Sequence, residues 1–424
     1  MINKFLNYYK KSRFLKDNLI LFIGSLSAGV LGFIFHFYMG RTLGPADYSI
    51  LGVVLSIMYI MGIGLNTLQT GITKYVSDLN AKKEYSKISY LMAKLTKKLA
   101  KYGIILFIVF LVIIPLLAKF LHISITPLLI ISPCVLILIV LPVNRGLLQG
   151  LQRFKGLSWN LVIEGVTKLF GATILILLGL SVYGAIIAIV LSYAIPFFAG
   201  FYPLKDIIKK KKKEFNINKV YSFSIPIFIA LISLTLLYNV DIILIKHFFS
   251  EMETGYYVAA SKLGLILFFA TISISQVMFP KVSELHKKKK RHIHVLKNSL
   301  FISLVIIVPA VIIFYSFSKI IVNILFGPQF LEAIPYVGPF SVIIGLFSLV
   351  YILTFYNLSI NKRRFLYVLV TFNIIQILLI ILFHSSLSQI INTLMIYMVI
   401  LFITMLALTL ISKNGRTFNN NPGI

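Results

Sequence analysis

Long uninterrupted apolar runs recur from one end of this chain to the other, and they fix its fold class before any motif is read. A hydrocarbon core ~30 Å thick is crossed by about 20 helical residues. Twelve segments meet that length: about 17–39, 49–73, 102–121, 125–148, 159–180, 183–204, 221–247, 255–279, 298–317, 333–356, 366–383 and 390–411. Lipid offers no partner for a free backbone N–H or C=O, so the spans are expected to be helices. Strands of a β-barrel would give short alternating segments, and these runs are continuous. With 59% of 424 residues hydrophobic and 12% charged, a soluble globule could not cover its own apolar surface. The sequence predicts an all-α polytopic membrane protein and excludes a soluble enzyme, a disulfide scaffold and a disordered tail.

The formal charge of +29 would suggest nucleic acid in a soluble chain. Here the basic residues gather between spans. Of 41 Lys and Arg, 35 lie at the N-terminus, at the C-terminus and in the even-numbered connections (about 74–101, 149–158, 205–220, 280–297 and 357–365, with Arg145 counted to its loop). The odd-numbered connections hold Arg41, Lys119, Lys246 and Lys319, while Lys168 and Lys262 fall inside spans. This asymmetry predicts twelve crossings of the cell membrane with both termini cytoplasmic. The lysine runs at 209–213 and 287–294 then face anionic membrane lipids rather than nucleic acid. The opening segment reads as a first retained span, and the single Cys134 provides neither a disulfide framework nor a thiolate metal cluster. No connection is long enough for a folded domain, no GxxxxGK[ST] loop occurs, and the outer connections hold only Asp47, Glu251, Glu253 and Glu332. The chain does not read as an enzyme.

The basic linker 205–220 divides the spans into six in 1–204 and six in 221–424. Val76-Ser77-Asp78-Leu79 closes the second span, and Val282-Ser283-Glu284-Leu285 closes the eighth. A parallel six-plus-six repeat predicts two lobes about a pseudo-two-fold axis with a central cavity. In 83–101, Ile88, Leu91, Met92, Leu95 and Leu99 recur at helical spacing among lysines. That pattern is an interfacial amphipathic helix or a basic loop.

Ionisable residues in hydrocarbon are costly and tend to mark pathways. Glu164 and Lys168 stand four apart on span 5, the favourable order for a helical ion pair. Lys168 lies ~14 Å along the helix from Trp159, near the midplane. It is either a cationic contact in a cavity or one half of a self-neutralising pair. Asp241 and Lys262 lie ~10 Å below the shared outer turn of spans 7 and 8, where they can pair as a gate or as a permanent staple, with Asn239 close by. His36, Asn66 and Arg41 occupy the corresponding region of the first half. Arg145 sits at the inner end of span 4, suited to phosphate or to snorkelling.

The stretch Phe37-Tyr38-Met39-Gly40-Arg41-Thr42-Leu43-Gly44-Pro45-Ala46-Asp47-Tyr48 resembles the R-x-L-G-P-x-x-Y/F-G turn of polysaccharide flippases in the multidrug/oligosaccharidyl-lipid/polysaccharide (MOP) superfamily, with Ser49 in place of the final Gly. Asn144-Arg145-Gly146-Leu147-Leu148-Gln149-Gly150 with Gln152-Arg153-Phe154, Asn239-Val240-Asp241-Ile242-Ile243-Leu244, and Gly255-Tyr256-Tyr257-Val258-Ala259-Ala260-Ser261-Lys262 extend the likeness. The resemblance implies a flippase carrying a polyprenyl-pyrophosphate-linked oligosaccharide or polysaccharide precursor to the outer leaflet by alternating access, through a cavity between six-helix lobes. It implies a monomer working beside glycosyltransferases, with no cofactor and with H⁺ or Na⁺ coupling left open. Lys168, Arg145 and Lys262 become candidate pyrophosphate contacts, with Glu164 and Asn66 beside them. Asp241, Lys262, Asn239, His36 and Arg41 become gating or coupling candidates. A drug or metabolite antiporter of the same superfamily is the alternative; it would need an acidic cavity, and only Glu164 and Asp241 lie within spans. A membrane-embedded glycan polymerase would need larger outer loops.

The charge asymmetry gives a direct test of topology. On a Cys134→Ala background, Ser250→Cys should react with an impermeant thiol reagent in intact cells, and Lys288→Cys only after the membrane is opened. The reverse pattern would overturn the orientation.

Overall fold

The computed structural model describes residues 13–215 and 218–411, with side chains except those of 13–18, 64–66, 218–224 and 226. Among the described residues the regular structure is helical throughout, with no strand. Ten helical runs are long and apolar enough to cross a membrane. Two of them are too long for one crossing: Leu19–Met61 has 43 residues and Phe154–Ile208 has 55. At 1.5 Å per residue even the shorter measures ~64 Å, about twice the hydrocarbon thickness.

Both long runs are broken. Helix α1 (Arg13–Met61) is interrupted at Gly44, whose φ of 75° and ψ of 172° are non-helical, a backbone that glycine adopts without a Cβ penalty. Pro45 follows with its φ already suited to restarting a helix. Leu43-Gly44-Pro45 is therefore a stop followed by a start. The second break is the π turn Ile176–Leu180 between α6 (Phe154–Leu175) and α7 (Ser181–Ala199), with Gly179 at φ 87°. Ser181 Oγ donates to Asp47 Oδ2 at 2.6 Å, so the two breaks are joined.

The chain forms two compact units, Met1–Thr235 and Leu236–Ile424. In the first, α2 (Ile63–Ala81) packs along α5 (Cys134–Gly150), which follows the short α4 (Ile125–Ile131). A Cβ at Gly150 would lie 2.6 Å from Val76 Cβ and 2.8 Å from the Thr73 carbonyl oxygen. Gln149 Oε1 accepts from Gln69 Nε2 at 3.0 Å and from Thr73 Oγ1 at 3.3 Å. The glycines and glutamine of the Asn144–Gly150 motif are thus a packing seam.

Helix α3 (Tyr85–Leu121) is continuous over 37 residues. Its first turns form the amphipathic helix that the pattern of 83–101 allowed and not a basic loop, and what changes is the partner of the apolar stripe. Ile88, Leu91, Met92, Leu95 and Leu99 are buried with Ile72, Val76, Leu147, Leu148, Leu204 and Ile207. The apolar stripe meets protein rather than headgroups, because α2, α5 and α8 (Lys205–Ile208) bring their own apolar residues to it. Arg153 fixes this end: it bonds both carboxylate oxygens of Asp206, at 2.6 and 2.5 Å, and the Pro203 carbonyl.

The second unit opens at a helix break. After α9 (Asn218–Leu236) the backbone turns through Leu237–Asn239 before α10 (Val240–Phe248). The Leu237 carbonyl oxygen accepts from Gln376 Nε2 at 3.1 Å, a side chain of α15 (Arg364–Leu382). Helix α11 (Glu251–Lys287) starts with a capping box between Ser250 and Glu253 and packs against α14 (Ile334–Ser359), with the Tyr257 and Phe340 rings edge to face at 4.8 Å. Helices α12 (Ile293–Ser316), α13 (Ser318–Leu325) and α16 (Leu387–Ile411) complete the unit.

The α2–α5 seam should be intolerant of a side chain. Gly150→Val should lower the melting point of the solubilised protein by the equivalent of about 2 kcal/mol. Gly29→Ala, where nothing lies within 4 Å of the new Cβ, should not. Equal effects at the two sites would refute the close packing.

Candidate functional site

Two buried polar clusters stand out, one in each unit. In the first, Asn160, Glu164 and Lys168 recur every four residues along α6, which sets them on one face. Arg145 reaches them from α5 and is 5% exposed. Its Nη2 lies 2.5 Å from Glu164 Oε2, and its Nε donates to Asn160 Oδ1 at 2.8 Å. Asn160 passes the chain on, donating from Nδ2 to the Pro196 carbonyl at 2.6 Å, while Asn144 Nδ2 donates to the Phe197 carbonyl at 2.9 Å.

This arrangement corrects two expectations. Glu164 is not the partner of Lys168; its carboxylate faces Arg145, whose guanidinium is oriented by Asn160 and matches a carboxylate better than an ammonium does. Arg145 does not snorkel to the headgroups either, because its hydrogen-bond partners lie inside the unit. Lys168 is left with aromatic neighbours, its Nζ 5.9 Å from the ring centroids of both Phe35 and Tyr193. Among the described residues no ion pair within 4 Å includes it. The cluster therefore holds two basic side chains, Arg145 and Lys168, and one acidic one, Glu164.

His36 and Tyr48 share a hydrogen bond of 3.1 Å between Nδ1 and Oη, and Tyr48 is fully buried. Arg41 is exposed at the end of the same segment. The side chain of Asn66 lies outside the described residues.

In the second unit Asp241 occupies the first turn of α10 and is buried, where the helix N-terminus favours negative charge. Tyr257 Oη donates to its Oδ2 at 2.7 Å. Lys262 is also buried and close enough for the two charges to attract, yet Asp241–Lys262 is not among the ion pairs within 4 Å of the described residues. The expected direct pair is thus replaced by a Tyr257–Asp241 bond with Lys262 as a second neighbour. Asn239 is the buried N-cap residue of α10. Lys246, expected as an outer-loop charge, is instead 2% exposed, with its Nζ 3.4 Å from Glu251 Oε1. Lys246 lies in the last turn of α10, and its ammonium reaches Glu251 at the start of α11.

Sequence reasoning missed Asn160, Phe35, Tyr193, Tyr257 and Gln376. Asn160 was findable, four residues before Glu164 on the same face. Tyr193 and Gln376 act across helices, and no spacing along the chain marks them.

A family model described as "Polysaccharide biosynthesis protein" matches residues 38–335. A membrane protein of Methanocaldococcus jannaschii is 24% identical over 319 residues, 69% of this chain and 73% of the relative. An Lsg locus protein of Haemophilus influenzae is 30% identical over 151 residues, 34% of this chain and 37% of the relative. Among solved structures, the fold is similar to an inward-facing multidrug resistance MATE family transporter of the MOP superfamily, with a TM-score of 0.77, 13% identity, and 92% of this chain and 96% of that one covered. It is also similar to the Lipid II flippase MurJ in an inward closed conformation, with a TM-score of 0.73, 15% identity, and 93% and 87% covered.

The Arg145–Glu164 contact should behave as a coupled buried pair. Removing either partner alone should cost about 3 kcal/mol of stability, and Arg145→Ala with Glu164→Ala together clearly less than the sum. Lys168→Ala should leave the melting point near that of the unaltered chain. Additive losses at 145 and 164, or a large loss at 168, would refute the assignment.

Proposed function

The chain belongs to the polysaccharide biosynthesis protein family of the MOP superfamily, and from that premise we propose that it is a flippase for a polyprenyl-pyrophosphate-linked oligosaccharide or polysaccharide precursor. It is a multi-pass membrane protein with the fold of MOP superfamily transporters. Counting each broken run twice turns ten helical runs into twelve passes, with both termini in the cytoplasm of a cell-membrane protein and the precursor moving toward the outer leaflet by alternating access. The chain acts as a monomer fed by the glycosyltransferases that build its substrate.

One observation carries this reading: the α6 cluster has Lys168 set against aromatic rings, with the nearby carboxylate already engaged by Arg145. A cationic drug would meet net positive charge there, whereas a pyrophosphate would be attracted. The two rings supply apolar and cation–π surface that holds the ammonium without neutralising it. Arg145 is a positioning residue that engages the Glu164 carboxylate directly. In the second unit, the Tyr257–Asp241 bond with Lys262 nearby is the gating and coupling candidate. The carboxylate sits at a broken helix, where an exchange of partners requires only side-chain movement. The driving force is an H⁺ or Na⁺ gradient or removal of product. In the first unit, His36 with Tyr48, together with Arg41 at the Gly44 break, belongs to the same conformational machinery.

The test is reconstitution in sealed vesicles with lipid-linked sugars, reading appearance of the glycan on the opposite face. Flipping should fall roughly tenfold in Lys168→Ala, equivalent to about 1.4 kcal/mol of lost charge-assisted contact, and recover in part in Lys168→Arg. Flipping at the unaltered rate in Lys168→Ala would remove the cation from the mechanism. Exchange of a cationic dye against H⁺ or Na⁺, with no lipid-linked sugar moved, would favour the antiporter.

A further inference from the structure

At the lysine-rich end of the first unit, the turn between α2 and α3 and the segment after α8 enclose a cavity of about 400 Å³. Lys83, Lys87, Lys210 and Lys213 line it, with Glu84 as its one acidic residue. Lys87 Nζ bonds both Glu84 carboxylate oxygens, at 2.8 and 2.9 Å, and this contact holds the carboxyl below its usual range. Glu84 is therefore ionised at neutral pH, and four ammoniums against one carboxylate leave the cavity three charges positive.

Both walls are fixed. On one side Lys83 takes a left-handed φ of 56°, with its N–H bonded to the Asn80 carbonyl at 2.9 Å and the Glu84 N–H to that of Leu79 at 2.9 Å. On the other side the lysine run is not a free loop. Lys213 N–H donates to the Ser86 carbonyl at 3.1 Å, Ser89 Oγ donates to the Lys210 carbonyl at 3.2 Å, and Leu204 and Ile207 are buried in the α2–α3–α5 core. Topological positive charge needs no such construction, since a flexible loop fulfils that role equally well. Here apolar burial and backbone bonds hold like charges together against their repulsion.

Along α3 the cavity stands well away from the exposed apolar surface of that helix. That surface, the part expected to meet lipid, begins at Tyr102, which is 49% exposed. From Lys87 to Tyr102 the helix runs unbroken, which at 1.5 Å per residue is ~22 Å. The headgroup layer adds only ~5–8 Å beyond the hydrocarbon, and a tilt of ~40° would still leave ~17 Å. We propose that this cavity binds a soluble diphosphate anion, free or as the diphosphate moiety of a larger water-soluble molecule, with Lys83, Lys87, Lys210 and Lys213 as its contacts. Such an anion approaches the three positive charges in magnitude, and it places several acceptor oxygens among donors that have no other acidic residue in the cavity.

The test is calorimetric titration of inorganic diphosphate into the purified full-length chain in neutral detergent at fixed salt. Saturable binding of one anion is expected, weakened roughly tenfold or more by Lys210→Ala with Lys213→Ala, and largely restored by arginine at both positions. Lys287→Ala with Lys290→Ala, in the other basic run, should leave affinity unchanged. Diphosphate should also shield Lys210 and Lys213 of the unaltered chain from an amine-reactive label, a readout independent of how the variants fold. Absence of saturable binding, or equal weakening by both variant pairs, would overturn the proposal. Displacement of diphosphate by vesicles containing phosphatidylglycerol would reassign the cavity to lipid and overturn it equally.

Discussion

Every helix break in this protein has to answer for the backbone groups it releases, and that requirement organises the molecule. Inside hydrocarbon a freed carbonyl or N–H costs several kcal/mol unless a neighbour takes it. At Leu237–Asn239 the neighbour is Gln376, reaching from α15 to the Leu237 carbonyl. The Gly44 and Gly179 breaks, which are turns between passes, are instead joined side chain to side chain, with the exposed Ser181 hydroxyl donating to the Asp47 carboxylate. The polar side chains that look isolated along the sequence are largely the means by which broken helices remain tolerable. The same breaks put Asp241 at a helix start within the second unit, where a carboxylate is stabilised without a directly bonded cation.

Charge follows the same logic. Arg145 is buried, and it is tolerated because Glu164 and Asn160 occupy its guanidinium edges. Asp241 has Tyr257, and Lys246 has Glu251. Among the described residues of the first unit, Lys168 is a partly buried basic side chain with no ion pair within 4 Å. Its surroundings are rings, which attract a cation less strongly than a carboxylate but do not cancel its charge. The lack of a direct ion-pair partner among the described residues distinguishes Lys168 from the neighbouring Arg145.

The helices were legible because hydrocarbon thickness and backbone satisfaction leave little freedom. Run length alone locates them, and Gly44-Pro45 announces its own break. Partners were much less legible. The spacing of Glu164 and Lys168 is right for an ion pair, and the pair fails because Arg145, nineteen positions away, offers a better geometry. The apolar stripe Ile88–Leu99 was readable as a buried face, but the sequence carries no mark of whether lipid or protein covers it. Ile207 decides that question, and it lies in a segment whose composition suggests only a charged linker. Local periodicity sees one helix at a time, whereas burial is settled between helices.

The lysine-rich linker shows how far composition can mislead in the other direction. Read as sequence, 209–213 is interchangeable with 287–291, since both are runs of five basic residues next to a span. Their surroundings separate them. The first run is held at Lys210 and Lys213 by hydrogen bonds to serines of α3, over a core that includes Leu204 and Ile207. In the second, Lys288 pairs with Glu284 one turn back on its own helix at 2.6 Å, an exposed contact worth little. Equal charge in different surroundings has different consequences. Lys210 and Lys213 of the first run share one cavity with Lys83 and Lys87, and donors gathered around a single cavity can select an anion by its geometry.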